Sequence, residues 1–264
     1  MIYAPFPGEF IASALRRGKE IQGIINCRKF DFKIRVVKRS TRYGKWEFIL
    51  PKLIEDHGLS TEVLQENTLY PLYSVLGRSP SSATYAPAST WKICTTCVVE
   101  DAEKYGSPYI HVCHLPKSVK FCHKHASYLQ ARCPTCSLAV SSHNLSDFIA
   151  CSDSFSLETS NSEAWQQDYA VFVRDLFDFR GSAYSAVVVD EKLYSKYIKL
   201  SYKNYFHGYN SYRSDISKIF GMDFKDNRSG YQSFDLCLAL AFLGFETADA
   251  FIAVVQRPSS SSAS

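Results

Sequence analysis

Seven of the nine cysteines and five of the seven histidines lie between Cys94 and Cys151, a density that points to metal coordination. The spacing carries the argument. Cys94-Thr-Thr-Cys97 and Cys133-Pro-Thr-Cys136 are Cys-x2-Cys knuckles, and Cys122-His-Lys-His125 is a Cys-x2-His. Each knuckle puts two donors at one corner of a tetrahedron with Zn–S near ~2.3 Å and Zn–N near ~2.0–2.1 Å. Two such corners make a closed four-coordinate site, which is structural because no position is left to activate water. The first predicted Zn2+ site is Cys94, Cys97, Cys122 and His125. Cys113, His111, His114 and His123 are spare donors nearby, so its fourth ligand stays open. The second predicted site has Cys133, Cys136 and Cys151. Ser154 stands where a fourth thiolate would follow Cys151, and His143 or Asp153 could complete the set, or the site could be empty. Disulfides and metal-free buried cysteines are the competing readings. Knuckle spacing, behind an N-terminus with no basic segment and with Pro5, Pro7 and Glu9 in place of an apolar run, favours metal in a reducing cytoplasm.

A chain of 264 residues with 46% hydrophobic and 21% charged residues suits one sizeable globular core or two small ones. No run is apolar for long enough to span a bilayer, so no membrane partner is expected. The net charge is +4, but it is unevenly placed. Arg28, Lys29, Lys33, Arg35, Lys38, Arg39, Arg42 and Lys45 face one acid, Asp31, giving this segment +7 and leaving the rest of the chain at −3. A phosphate backbone selects such a block, and Arg28, Lys29, Lys33, Arg35, Lys38, Arg39 and Arg42 are the candidate DNA-binding residues. A solvated strand pair would carry the same charges. His143-Asn144 beside a knuckle faintly echoes a nuclease site. With no paired carboxylates, Gly-rich phosphate loop or nucleophile elbow, the chain is expected not to be an enzyme.

These residues need elements to position them. Residues 6–18 predict a first helix, opened by Pro7 and ended by Gly18. Phe30, Phe32, Ile34 and Val36 alternate with polar neighbours, as in a strand or extended arm. Residues 46–76 predict two helices broken at Gly58 and capped again at Ser60, the outline of a helix-turn-helix. A Ser/Pro/Ala-rich linker, 80–90, leads into the cysteine region, and a Ser-rich linker leaves it. Ser160 and Glu163 have capping-box spacing before a helix with one buried face, Trp165, Tyr169, Phe172, Val173 and Leu176. Leu193, Tyr194, Tyr197, Ile198 and Leu200 mark another helix. Phe234–Val255 reads as two apolar helices about Leu243-Gly244-Phe245, suited to core or subunit contact. The expected fold is mainly α with a small zinc-ribbon-like insertion: an N-terminal helix-turn-helix-like domain with a basic arm over 1–90, a zinc module over 91–155, a C-terminal helical domain over 160–256, and a disordered tail over 257–264.

Laid out in this way, the chain resembles the TniQ/TnsD family of transposon target-selection proteins. The centre carries most of the likeness: Cys94-Thr-Thr-Cys97, Lys104-Tyr-Gly106-Ser-Pro-Tyr109, His114-Leu-Pro116, Phe121-Cys122-His-Lys-His125 and Leu129 follow the family's knuckle, Tyr-Gly turn, aromatic-Leu-Pro step and Cys-Pro-Lys-His-Gly. Phe6-Pro-Gly-Glu-Phe-Ile-Ala-Ser13 resembles the opening Pro-x-Glu-Leu-Leu-x-Ser helix, and Glu66-Asn-Thr68-Leu-Tyr-Pro71-Leu-Tyr73 resembles its Thr-Leu-x-Pro-Leu-Tyr element. The likeness covers about residues 5–140. Thr95 and His123 stand where the family has proline, and Ala126 where it has glycine. The resemblance implies a non-enzymatic role in the bacterial cytoplasm, associated with double-stranded DNA. Such a protein marks the insertion site and recruits an AAA+ ATPase transposition regulator (TnsC-like) and the transposase. The alternative is an adaptor, possible as a homodimer, that docks onto an RNA-guided CRISPR effector complex and binds little DNA itself, with the apolar C-terminal helices as its contact surface.

Overall fold

The computed structural model describes residues 4–23, 35–39, 46–49, 62–78, 86, 88–155, 163–181, 184, 186–201, 205–224 and 234–256, and within them the chain is mainly helical. The first helix, α1 (Ile11–Ile21), starts later and runs further than expected. Pro7 and Gly8 form a turn, with Gly8 at φ 71°, so the chain reaches helical geometry only after Phe10. Gly18 is buried inside the helix, and the left-handed residue beyond its end is Gly23, φ 74°.

The basic segment contributes β1 (Arg35–Arg39), paired antiparallel with β2 (Trp46–Ile49); Arg35 lies opposite Ile49 and Arg39 opposite Trp46. The helix expected from residue 46 therefore begins as a strand. Trp46, Phe48 and Ile49 are aromatic or β-branched, types that fit a pleated surface. Phe30, Phe32, Ile34, Gly58 and Ser60 lie outside the described residues, and so does the helix-turn-helix outline drawn through them. The chain resumes with α2 (Glu62–Asn67) and α3 (Tyr70–Val75), where Pro71 occupies the first turn.

The cysteine-rich stretch holds α4 (Thr95–Tyr105), α5 (Asp147–Ser152) and 3-10 turns at Val112–His114 and Val140–Ser142. Four helices and a short fifth follow: α6 (Ala164–Leu176), α7 (Ala186–Ser201), α8 (Tyr205–Phe220), α9 (Phe234–Gly244) and α10 (Ala248–Gln256). The capping box of α6 is Glu163 with Gln166, one turn later than the predicted Ser160–Glu163 pair. Helix α9 is apolar all round and packs against α6, α7 and α8; α10 lies across α6 and α7. Residues Leu236–Ala241 are at most 1% exposed. The apolar C-terminal pair is bent by 102°, and its Leu236–Ala241 stretch lies in the core. No single helix among the described residues is long and apolar enough to cross a membrane.

Buried polar ties join these parts. Glu9, fully buried, pairs with Arg17 at 2.8 Å, accepts the Ser13 hydroxyl at 3.1 Å and accepts the Phe6 N–H at 2.9 Å. The Asn67 amide donates to the carbonyls of Phe6 and Glu9, and the Ile110 N–H donates to the Ser13 hydroxyl at 3.0 Å. At the other end, Asp235 of α9 accepts the Ser118 N–H and hydroxyl at 2.8 and 2.7 Å, and the Ser118 hydroxyl also meets the Tyr169 hydroxyl. Lys120 donates to the last carbonyls of α8. Arg78 forks onto Asp190 of α7. The buried apolar residues form one cluster running from Phe10 to Val255, with Cys94, Cys97, Cys122 and Cys133 in it.

Leu240→Ala removes a side chain from the middle of this cluster and is expected to cost about 2–5 kcal/mol in chemical denaturation. Leu243→Ala, close to it in sequence but 39% exposed, is expected to cost less than about 1 kcal/mol.

Candidate metal centre

The turn at Cys122 is built by two backbone bonds: Ala126 N–H donates to the Cys122 carbonyl at 2.9 Å, and Cys122 N–H donates to the Ser127 carbonyl at 2.9 Å. The turn at Cys133 repeats this scheme, with Ser137 onto Cys133 at 2.9 Å and Cys133 onto Leu138 at 2.8 Å. Both turns are closed by antiparallel bridges, Phe121 with Tyr128 and Arg132 with Ala139. Both need a left-handed residue after the last donor, Ala126 at φ 51° and Ser137 at φ 60°. That conformation explains why glycine suits the position of Ala126. The Cys94 knuckle is made differently. Cys94 is the N-cap of α4, and its sulfur accepts the Cys97 N–H at 3.5 Å, so the positive end of the helix faces a thiolate.

These turns bring Cys94, Cys97, Cys122 and His125 together, their donor atoms all within 4.8 Å of one another. His125 Nδ1 lies 3.3 Å from the Cys94 sulfur, 3.4 Å from Cys97 and 3.7 Å from Cys122; the Cys97 and Cys122 sulfurs are 3.7 Å apart. A ring nitrogen has one lone pair or one proton, so three sulfurs around it cannot all be hydrogen-bonded to it. A tetrahedral zinc site has S···S edges of about 3.8 Å and S···N edges of about 3.5 Å. The group fits a metal ion. Hydrogen bonds from Cys122 and Cys97 hold Cys94 far below the usual thiol range; Cys97 is held far above it by the same pairing, and Cys122 is pushed up to about 11 by Cys94. Without a cation the three thiols oppose one another's ionisation, and a dication would let all three ionise. Glu100 Oε1 lies 3.1 Å from His125 Nε2, out of line with its N–H, and Lys124 holds the other carboxylate oxygen.

The second group resolves the open ligand. Cys133, Cys136, His143 and Cys151 have their donor atoms within 4.8 Å of one another, with His143 Nε2 at 3.5 Å from the Cys151 sulfur. Asp153, just past α5, is not in the group. His143 Nδ1 is committed to the Asn144 carbonyl at 2.6 Å, which leaves Nε2 as the donor atom, and the ring stacks on Phe148 at 3.9 Å. These contacts engage both ring nitrogens. Burial works against ionising Cys133, but the N–H groups of Cys136 and Thr135 lower it, while burial and Cys133 push Cys151 up to about 12.

Helix α1 holds this second group from across the chain. The Arg16 guanidinium donates to the carbonyls of Val140, Ser141 and His143. Glu20 accepts the N–H groups of Leu145 and Ser146 ahead of α5, at 2.9 and 3.0 Å. Periodicity gives no sign of either role, since both residues read as the polar face of an amphipathic helix. Of the candidate DNA-binding residues, Arg35, Lys38 and Arg39 are on β1; Arg28, Lys29, Lys33 and Arg42 lie outside the described residues. Compared with known protein families, curated proteins and solved structures, the chain matches none.

Arg16→Ala is expected to weaken metal binding by Cys133, Cys136, His143 and Cys151 about 10- to 100-fold, leaving the first group unchanged; competition with a chromogenic chelator resolves the two. Ala126→Gly relieves a left-handed alanine and is expected to raise stability by about 1 kcal/mol in chemical denaturation of the metal-loaded protein.

Proposed function

We propose that the chain is a target-selection protein of a transposition system, related to the TniQ/TnsD proteins. It binds double-stranded DNA at the insertion site and recruits an AAA+ ATPase regulator and, through it, the transposase. The observation that carries this reading is the meeting of the three stretches that resemble that family. Glu9 and Ser13 from the first, Asn67 from the second and the backbone of Ile110, next to Tyr109 of the third, bond to one another in a buried network. Three stretches scattered over a hundred positions thus meet in one buried network, which supports the reading. The positive φ at Ala126, at a position the family fills with glycine, agrees with it.

In this reading zinc is structural and occupies both closed groups, and the chain is not an enzyme. The N-terminal segment with its basic arm, the zinc module and the C-terminal helices form three parts in sequence. The arm supplies DNA affinity through Arg28, Lys29, Lys33, Arg35, Lys38, Arg39 and Arg42. A two-stranded antiparallel ribbon such as β1–β2 is one of the shapes a major groove admits. The adaptor reading would use the apolar C-terminal helices as its contact surface, and of these Leu236–Ala241 is buried while Leu243 is exposed.

The test is a salt titration of duplex binding by the zinc-loaded protein. The wild type is expected to bind with a steep salt dependence. Replacing Arg35, Lys38 and Arg39 by alanine is expected to flatten the slope of log K against log salt by roughly 0.9 for each phosphate that is no longer neutralised. Co-sedimentation with a purified AAA+ transposition regulator is expected on DNA. Salt-independent or absent DNA binding, with stable capture by an RNA-guided effector, would transfer the role to the adaptor.

A further inference from the structure

A third group of donors lies apart from both closed sets. Cys113, His114 and His123 bring one donor atom each to within 4.8 Å of one another, and Cys113 Sγ is 3.6 Å from His123 Nδ1. Cys113 and His114 come from the 3-10 turn Val112–His114, which packs against α6; His123 comes from the Cys122 turn. His114 is 1% exposed, and neither of its ring nitrogens has a hydrogen-bond partner. An imidazole buried without partners forfeits its hydration with nothing in return. Nearby polar side chains do not relieve it, because His111 Nε2 is committed to Asp101 at 2.7 Å. Cys113 and His123 also line a cleft of about 460 Å³ that reaches Arg174 and Arg180.

We propose that Cys113, His114 and His123 form a third metal site, distinct in kind from the other two. One thiolate and two imidazoles suit a divalent first-row ion of zinc's class. Three protein donors leave the fourth position open, and the cleft is where it opens. A metal bound there would satisfy one of the orphaned His114 nitrogens. The ion with one thiolate carries a net +1, while Arg174 and Arg180 in the cleft are matched by Glu66 and Asp178, so the charge that draws the exchangeable ligand, water or a small anion, is the ion's own. His123 is a donor supplied by a departure from the family pattern, which has proline there, so the site belongs to this chain's own sequence.

The experiment is metal stoichiometry on the full chain, comparing wild type with Cys113→Ser and His123→Gln. Each variant is expected to hold one equivalent less than wild type with its far-UV circular dichroism unchanged. Equal stoichiometry in wild type and both variants would overturn the proposal. Cys97→Ser and Cys136→Ser, run alongside, report loss of the closed groups, so failure there is distinguishable from failure here. Should a variant not fold, the unmodified chain reloaded with Co2+ gives a second reading. Azide is expected to shift the visible band of one equivalent and leave the others unmoved. No shift at any equivalent would equally overturn it.

Discussion

Thiolates repel one another, and the middle of this chain is built to hold three of them against one imidazole. Cys94, Cys97 and Cys122 are buried and lie within reach of a single nitrogen of His125. The N-terminal end of α4, whose Cys97 N–H meets the Cys94 sulfur, and the His125 N–H toward Cys122 offset part of the charge. A dication would offset the rest. The three cysteines are also members of the apolar cluster that reaches from α1 to α10, so whatever fixes them fixes one wall of the core.

The two closed groups share a turn but differ in what steadies them. The first is steadied locally, by α4 and by the bonds within the Cys122 turn. The second stands on more exposed ground, with Cys136 in solvent, and takes its support from Arg16 and Glu20 on α1. Arg16 bonds the carbonyls of Val140, Ser141 and His143 around a 3-10 turn, and Glu20 meets N–H groups at the start of α5. One helix thus organises a metal site to which it contributes no donor.

The knuckles were legible in the sequence because spacing of two residues is a local property, and a local turn realises it. The buried face of α6 and the apolar pair α9–α10 were legible for the same reason, through helical periodicity. The ends of α1 were misplaced because Gly8 and Gly23, not Gly18, are the glycines at positive φ around this helix, and sequence alone does not say which glycine turns the chain. The strand at Trp46–Ile49 was missed because four residues are too few to show a period. The choice of His143 over Asp153 depended on the Asn144 carbonyl, the Phe148 ring and the Arg16 clamp, all fixed by tertiary contacts. The basic block was legible as charge, but charge does not reveal which residues pair as β1 and β2.

The Arg16 clamp also orders events in time. Arg16 and its partner carbonyls at Val140 and His143 are separated by 124 and 127 positions. During synthesis α1 leaves the ribosome long before its partners exist. Its buried cation must stay hydrated until then, because desolvating it alone is costly. Closing so long a loop carries an entropy cost that grows with the logarithm of its length. Ordering the Cys133 turn and α5 beforehand fixes the far end of that loop in place. Docking of α1 then belongs to the end of folding, and the helix serves as a late seal on the cysteine-rich region.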